Sequence, residues 1–325
     1  MIVIDNVGPS SPETRKTQWL HNILWAILLG LMVFIYGSHA PLISLTKVDG
    51  RVPFNPSSCV VLIELVKLLV SLTALSLTGT TSDLRAPPRP LLVAPYAVPA
   101  ILYALNNNLV VLMQAYMDPS SFQVLSNLKV ACTAVLYSLC LGKRLRPLQW
   151  LALLLLMLAG VCHSYSSLEL EDAHGAEADR APRLRITAWG LFLVLVYCCV
   201  SGLAAVYTEM MLKTQRLPLS LQNIYLYVFG VALNGLSALF SLSSDKSFLE
   251  GYSALVWLII AGQATNGLLM SVVLKHGSGI IRLFVISCSM LVNALLSWMF
   301  IGLQLSLLFF LPVVMIVVAA FLYYR

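Results

Sequence analysis

Ten apolar stretches, each long enough to cross a bilayer as a helix, leave this chain few folds to adopt. They lie near 20–42, 57–78, 92–116, 120–141, 147–166, 187–208, 219–241, 252–274, 279–300 and 303–323. Roughly 20 apolar residues in a helix span the hydrocarbon core. Lipid offers no partner to a backbone N–H or C=O, so a spanning segment must satisfy its own groups, and unbroken apolar runs of this length do so as helices. Composition agrees: 59% of residues are hydrophobic and only 10% charged, where a soluble domain carries about 25%. The expected fold is an all-α polytopic membrane protein with ten transmembrane helices.

The polar flanks set the expected organisation. Residues 1–19 form a polar tail with Arg15 and Lys16, followed by a first half at 20–166, a linker at 167–186 and a second half at 187–325. The linker is acidic and then basic, with few apolar residues. No short apolar region with a small-residue cleavage site follows the tail, so the first helix is expected to act as its own uncleaved signal. With the tail in the cytoplasm, most Lys and Arg outside the spans fall on that side, among them the Lys143-Arg144-Leu145-Arg146 anchor. The positive-inside rule then puts both termini in the cytoplasm and the linker opposite. The net charge of +6 is a matter of topology, and no nucleic-acid partner is expected. The seven Cys all fall in apolar segments and read as small buried residues, not a disulfide frame or a metal site. There is no Gly-x-Ser-x-Gly, no phosphate loop and no His/carboxylate cluster, so neither an enzyme nor a bound cofactor is expected.

Polar residues inside the spans carry the functional signal, because they are costly in lipid and normally face a bundle interior. The stretch Tyr103–Lys129 holds three consecutive asparagines (Asn106, Asn107, Asn108), a tight Asp118-Pro119 turn and then Lys129. Tyr103, Asn107 and Gln114 share one helical face. Asn and Gln often serve as helix-to-helix glue, but three adjacent asparagines favour a cavity lining. Phe122, Ser126, Lys129 and Thr133 share the next face. Lys129 has no carboxylate in its segment, as suits an open anion site. Glu64 and Lys67, at i and i+3, can pair on one face; the pair reads equally as a structural ion pair or as a lysine positioned to meet an anion. His39, just before Pro41, reads as part of a proline-capped helix end. In the second half, Ser201, Asn223 with Tyr227, and Arg282 with Ser289 and Asn293 mark further polar faces. Arg282 brings a permanent charge and a fork suited to phosphate.

A weak internal repeat accompanies these residues. Asn108 stands ten residues before Asp118-Pro119-Ser120, and Asn266 ten before His276-Gly277-Ser278. In each case the following helix carries a cation, Lys129 or Arg282. An odd number of spans per half would make the halves inverted, a common transporter plan with the site at their interface. The expectation is two inverted five-helix repeats.

The segments YALNNN, YMDPSSFQVLSNLK, SGLAAVYTEMMLK, LQNIYLYVFG and KHGSGIIRLF resemble the nucleotide-sugar transporter family, in the branch of the CMP-sialic acid, UDP-galactose and UDP-N-acetylglucosamine carriers. The likeness runs from the first helix to the tenth. It implies a drug/metabolite-transporter fold in the Golgi membrane, with the linker lumenal. It implies import of a pyrimidine nucleotide sugar or nucleotide-activated alditol (UDP-, CMP- or CDP-linked) in exchange for the nucleoside monophosphate. By position, Glu64 and Lys67 match a second-helix pair, and Tyr103, Asn107 and Asn108 match residues around the nucleotide. Lys129 matches a phosphate-facing lysine, while Ser201, Asn223 and Tyr227 match contacts from the second half. Phe122 stands where the branch often has Tyr, and Arg282 where the CMP-sialic acid carrier has Lys. The implied partners are the nucleotide sugar, the monophosphate and the bilayer, with room for a homo-oligomer or a complex with related transporters. Two rival readings stay open: a non-transporting assembly partner of true carriers, and a carrier of another phosphorylated metabolite.

Overall fold

The computed structural model describes residues 12–48, 52–78, 90–113, 116–117, 119–174, 187–241, 248–301 and 310–325. Among the described residues there are helices and no strand. Helix α1 is Pro12–Thr46 and α2 is Pro56–Leu77. A short α3, Pro90–Val93, leads through a 3-10 turn into α4, Ala97–Met113. Next come α5, Pro119–Leu125, and α6, Lys129–Cys140, separated by a 3-10 turn at Ser126–Leu128. Then follow α7 (Pro147–His174), α8 (Ala188–Thr214), α9 (Leu219–Ser241), α10 (Ala254–His276), α11 (Gly279–Ile301) and α12 (Phe310–Tyr324).

Local chemistry sets several of these ends. Asn55 caps α2 by accepting from the Ser57 N–H at 2.9 Å, with Pro56 at the first helical position, where its missing N–H costs nothing. Thr187 caps α8 by accepting from the Gly190 N–H. The α7 helix runs on to His174, into the segment expected as linker, and 175–186 lie outside the described residues.

Eight helical segments among the described residues are long and apolar enough to cross a membrane, including Ser121–Cys140 across the α5–α6 break. The other two expected spans fall on shorter helices: α4 has 17 residues and α12 has 15. The chain is a polytopic membrane protein. Its outer wall agrees, with Leu77, Leu139 and Leu239 more than two-thirds exposed. Its interior holds buried polar groups, among them Glu209, Gln222, Asn127 and Ser164.

The helices pair as α2 with α9, α7 with α12, α1 with α10 and α11, and α8 with α4 and α6; α10 also meets α2, and α9 meets α4. Close approach rests on small residues, as is common where lipid is the solvent. A methyl group added at Gly37 of α1 would come 2.7 Å from the Ser289 carbonyl of α11. One added at Gly202 of α8 would come 3.1 Å from the Thr133 backbone of α6. The cysteines are all free thiols. Cys59 and Cys198 are buried as expected, but Cys140 and Cys199 are exposed, because a lipid-facing wall accepts a small apolar residue without burying it.

Candidate functional site

Two cationic centres form inside the bundle. The first sits where α2 meets α9 and α10. Lys67 and Glu64 pair at 2.5 Å, with side chains only 11% and 16% exposed. The Lys67 ammonium also lies over the Tyr227 ring, 4.5 Å from its centroid. The Tyr227 hydroxyl bonds to Ser271 Oγ at 3.1 Å and donates to the Gly267 carbonyl at 3.5 Å. Two glycines make the space. A methyl at Gly230 would stand 2.7 Å from Glu64 Oε2, and one at Gly267 would stand 2.8 Å from Lys67 Cδ. Tyr103 approaches Tyr227 from α4.

The second centre joins α6, α8 and α11. Lys129 and Arg282 are near enough for their like charges to repel, and Cys198 of α8 lies beside Lys129. Neither cation has a carboxylate within ion-pair distance among the described residues. Arg282 Nη1 is buried without a hydrogen-bond partner. Tyr197 of α8 stands within the field of Arg282, next to Asn106 and Tyr36. Ser201 follows Tyr197 by one turn of α8 and so shares its face. The carboxamide oxygens of Asn106, Asn223 and Asn266 are likewise buried and unpartnered. Buried polar groups are nearly always satisfied, so the unmet Arg282 Nη1 and, next to Tyr197, Asn106 Oδ1, with two cations that lack a carboxylate among the described residues, are what an anion with a polar body would complete.

The remaining expected residues divide. Asn107 and Asn108 are exposed, and Asn108 Nδ2 donates to its own helix at the Ala104 carbonyl, 2.8 Å away. Ser126 donates to the Gln123 carbonyl at 2.9 Å. Gln114 and Asp118 lie outside the described residues. The structure thus brings Glu64, Lys67 and Tyr227 into one contact group and sets Lys129 and Arg282 within each other's electrostatic reach.

The model of the nucleotide-sugar transporter family matches residues 21–324. The chain belongs to the nucleotide-sugar transporter family. It is 60% identical to the "Probable UDP-sugar transporter protein SLC35A4" of Danio rerio, over 97% of this chain and 96% of that protein. It is 52% identical to the Homo sapiens protein of the same name, over 100% and 99%, and 51% identical to that of Xenopus tropicalis, over 99% and 98%. A crystal structure of a protein superposes with a TM-score of 0.65 at 15% identity, over 91% of this chain and 94% of the other, a likeness of fold alone. The family consists of transporters, not enzymes.

A nucleotide-sugar transporter must satisfy phosphate charge, and Lys and Arg side chains supply it. Two residues of consequence escaped the sequence reading. Tyr197 carries no spacing signal except its i,i+4 relation to Ser201. Glu209 is 0% exposed and pairs with Lys213 at 2.6 Å. Its second oxygen accepts the Gly279 N–H at 2.6 Å, while Lys213 donates to the Gly277 carbonyl, also at 2.6 Å. One ion pair at the end of α8 therefore clasps both sides of the α10–α11 turn. Its i,i+4 spacing was visible in the sequence; its target was not.

Proposed function

We propose that this nucleotide-sugar transporter is an antiporter of the Golgi membrane. It exchanges a pyrimidine nucleotide sugar or nucleotide-activated alditol, UDP-linked before CMP- or CDP-linked, for the nucleoside monophosphate. It works by alternating access between two inverted halves of five spans each, 20–166 and 187–325, joined by a lumenal linker at 167–186, with both termini cytoplasmic. The observation that carries the reading is that Lys129 and Arg282, one from each half, lie within each other's electrostatic reach and have no carboxylate partner among the described residues. These two bind the phosphates. Lys67, steered by Glu64, assists; Asn107, Asn108, Asn223 and Ser201 serve the base, ribose or sugar, and Ser126 completes the Lys129 face. Tyr227 has its ring covered by Lys67, so stacking on the base falls to Tyr103.

The helix pairing supports two related halves. With α1, α2, α3–α4, α5–α6 and α7 counted as spans one to five, and α8 to α12 as six to ten, several of the closest contacts between the halves have counterparts five spans on. Spans one and nine correspond to six and four, one and eight to six and three, and two and eight to seven and three. Gly37 and Gly202 mark the close approach in the first of these pairs. The names of the relatives favour a uridine nucleotide. Exchange follows because an empty cavity with two repelling cations reorients reluctantly.

Counterflow in proteoliposomes tests this. Purified protein is preloaded with UMP or CMP, and uptake of labelled UDP-, CMP- and CDP-linked compounds is followed. Saturable uptake that needs the internal monophosphate is expected. Uptake that is indifferent to it would end the antiport reading. No uptake, from a monodisperse preparation that no nucleotide stabilises, would favour an assembly partner of other carriers.

A further inference from the structure

The fourth span breaks immediately before Lys129, and the break is built. Its 3-10 turn, Ser126–Leu128, turns the Lys129 N–H to the Ser126 carbonyl, three residues back. Short 3-10 pieces within a helix often mark functional points. They also leave carbonyls short of their usual donors, which lipid cannot replace. Here a side chain replaces them. Asn127 Nδ2 donates to the Gln123 carbonyl at 3.0 Å and to the Val124 carbonyl at 3.1 Å.

The same amide is anchored from outside. Nδ2 also meets Ser164 Oγ of α7 at 3.2 Å. The Asn127 carboxamide presses on Gly160, one turn earlier on α7, so closely that a methyl group at 160 would overlap Oδ1 and stand 2.8 Å from Cγ. Asn127 is 3% exposed and Ser164 is 1% exposed. Glycine and serine on α7 thus form a slot that accepts one carboxamide in one orientation.

The slot faces one way and Lys129 the other. Residues two apart on an α-helix or 3-10 helix differ by roughly 200–240° around the axis. With Asn127 locked against α7, Lys129 is turned toward α8 and α11, where Cys198 and Arg282 lie. We propose that Asn127, seated in the Gly160–Ser164 slot, is a positioning residue: it fixes the rotation of the break so that Lys129 meets the phosphate of the nucleotide. This rests on the reading of Lys129 as a phosphate-binding cation.

The test is a double-mutant cycle on nucleotide affinity in the purified full-length protein, read by titration with UMP, or with CMP where that is the monophosphate exchanged. Lys129→Ala is expected to weaken binding on the order of 100-fold, the usual scale for losing one partner of a desolvated charge contact. Asn127→Ala and Gly160→Ala are each expected to weaken it about tenfold, with no further loss in the Lys129→Ala background, as coupled sites behave. Ser164→Ala, which spares both carbonyl bonds, guards against misfolding of the stronger variants and should fall between them and the wild type. Losses that add to that of Lys129→Ala would make Asn127 a structural residue and overturn the proposal. Unchanged affinity in Asn127→Ala and Gly160→Ala would overturn it alone. Unchanged affinity in Lys129→Ala would overturn the phosphate reading and this inference with it.

Discussion

The bundle holds two kinds of cation, and the contrast between them separates holding a fold from waiting for a ligand. Lys67 and Lys213 each keep a carboxylate on their own helix, at 2.5 Å and 2.6 Å. Lys129 and Arg282 keep none among the described residues and instead repel each other. A charge withdrawn from water needs compensation. For the first pair it comes from one turn away along the same helix. For the second it comes from no carboxylate among the described residues. Neighbours differ in the same sense: Tyr227 and Gly277 are already bonded to the paired lysines or their surroundings, while Arg282 Nη1 and Asn106 Oδ1, beside Tyr197, lack partners.

If the contrast holds, removing a paired carboxylate should cost stability, and removing an unpaired cation should cost binding. The largest effect is expected at Glu209→Ala. It leaves Lys213 without its counter-charge and Gly279 without its acceptor, and should lower stability by about 3–5 kcal/mol, seen as a strongly reduced thermal midpoint in detergent. Lys129→Ala should do the reverse: exchange falls below about 1% of wild type, while the midpoint without nucleotide holds or rises, because Arg282 loses a repelling neighbour. A fall in that midpoint would erase the distinction between the two kinds. Glu64→Gln should lie between, since the carboxamide can still accept from Lys67; a loss of about 1–2 kcal/mol is expected, with weaker but measurable exchange. The smallest effect is expected at Ser271→Ala, which removes one bond to the Tyr227 hydroxyl and should cost about 1 kcal/mol without altering nucleotide preference in counterflow.

The stretch from Asn127 to Lys129 shows how far sequence reading reaches. Lys129 stood out because an unpaired charge in an apolar run is costly wherever the helix points, and Arg282 stood out for the same reason. Hydropathy cannot report that each lies in the other's electrostatic field, because that depends on how α6 and α11 cross. Asn127 was visible only as one more polar residue. Its work depends on Gly160 and Ser164, which are unremarkable where they stand on α7. Tyr227 matches a nucleotide contact by resemblance; that Lys67, from a helix far away in sequence, covers its ring leaves no spacing signal.

What the sequence determined by itself was the helical, membrane-spanning character of the chain. The length of an apolar run and the demand for internal hydrogen bonds act locally, one segment at a time. Within a helix it also determined the pairs: Glu64 with Lys67, and Glu209 within reach of Lys213, because spacings of three and four residues share a face. Only the tertiary structure decided which helix each face met. That choice rests on small residues such as Gly37, Gly202 and Gly160 allowing backbones or side chains to close in, and steric fit between distant segments leaves no periodicity to read.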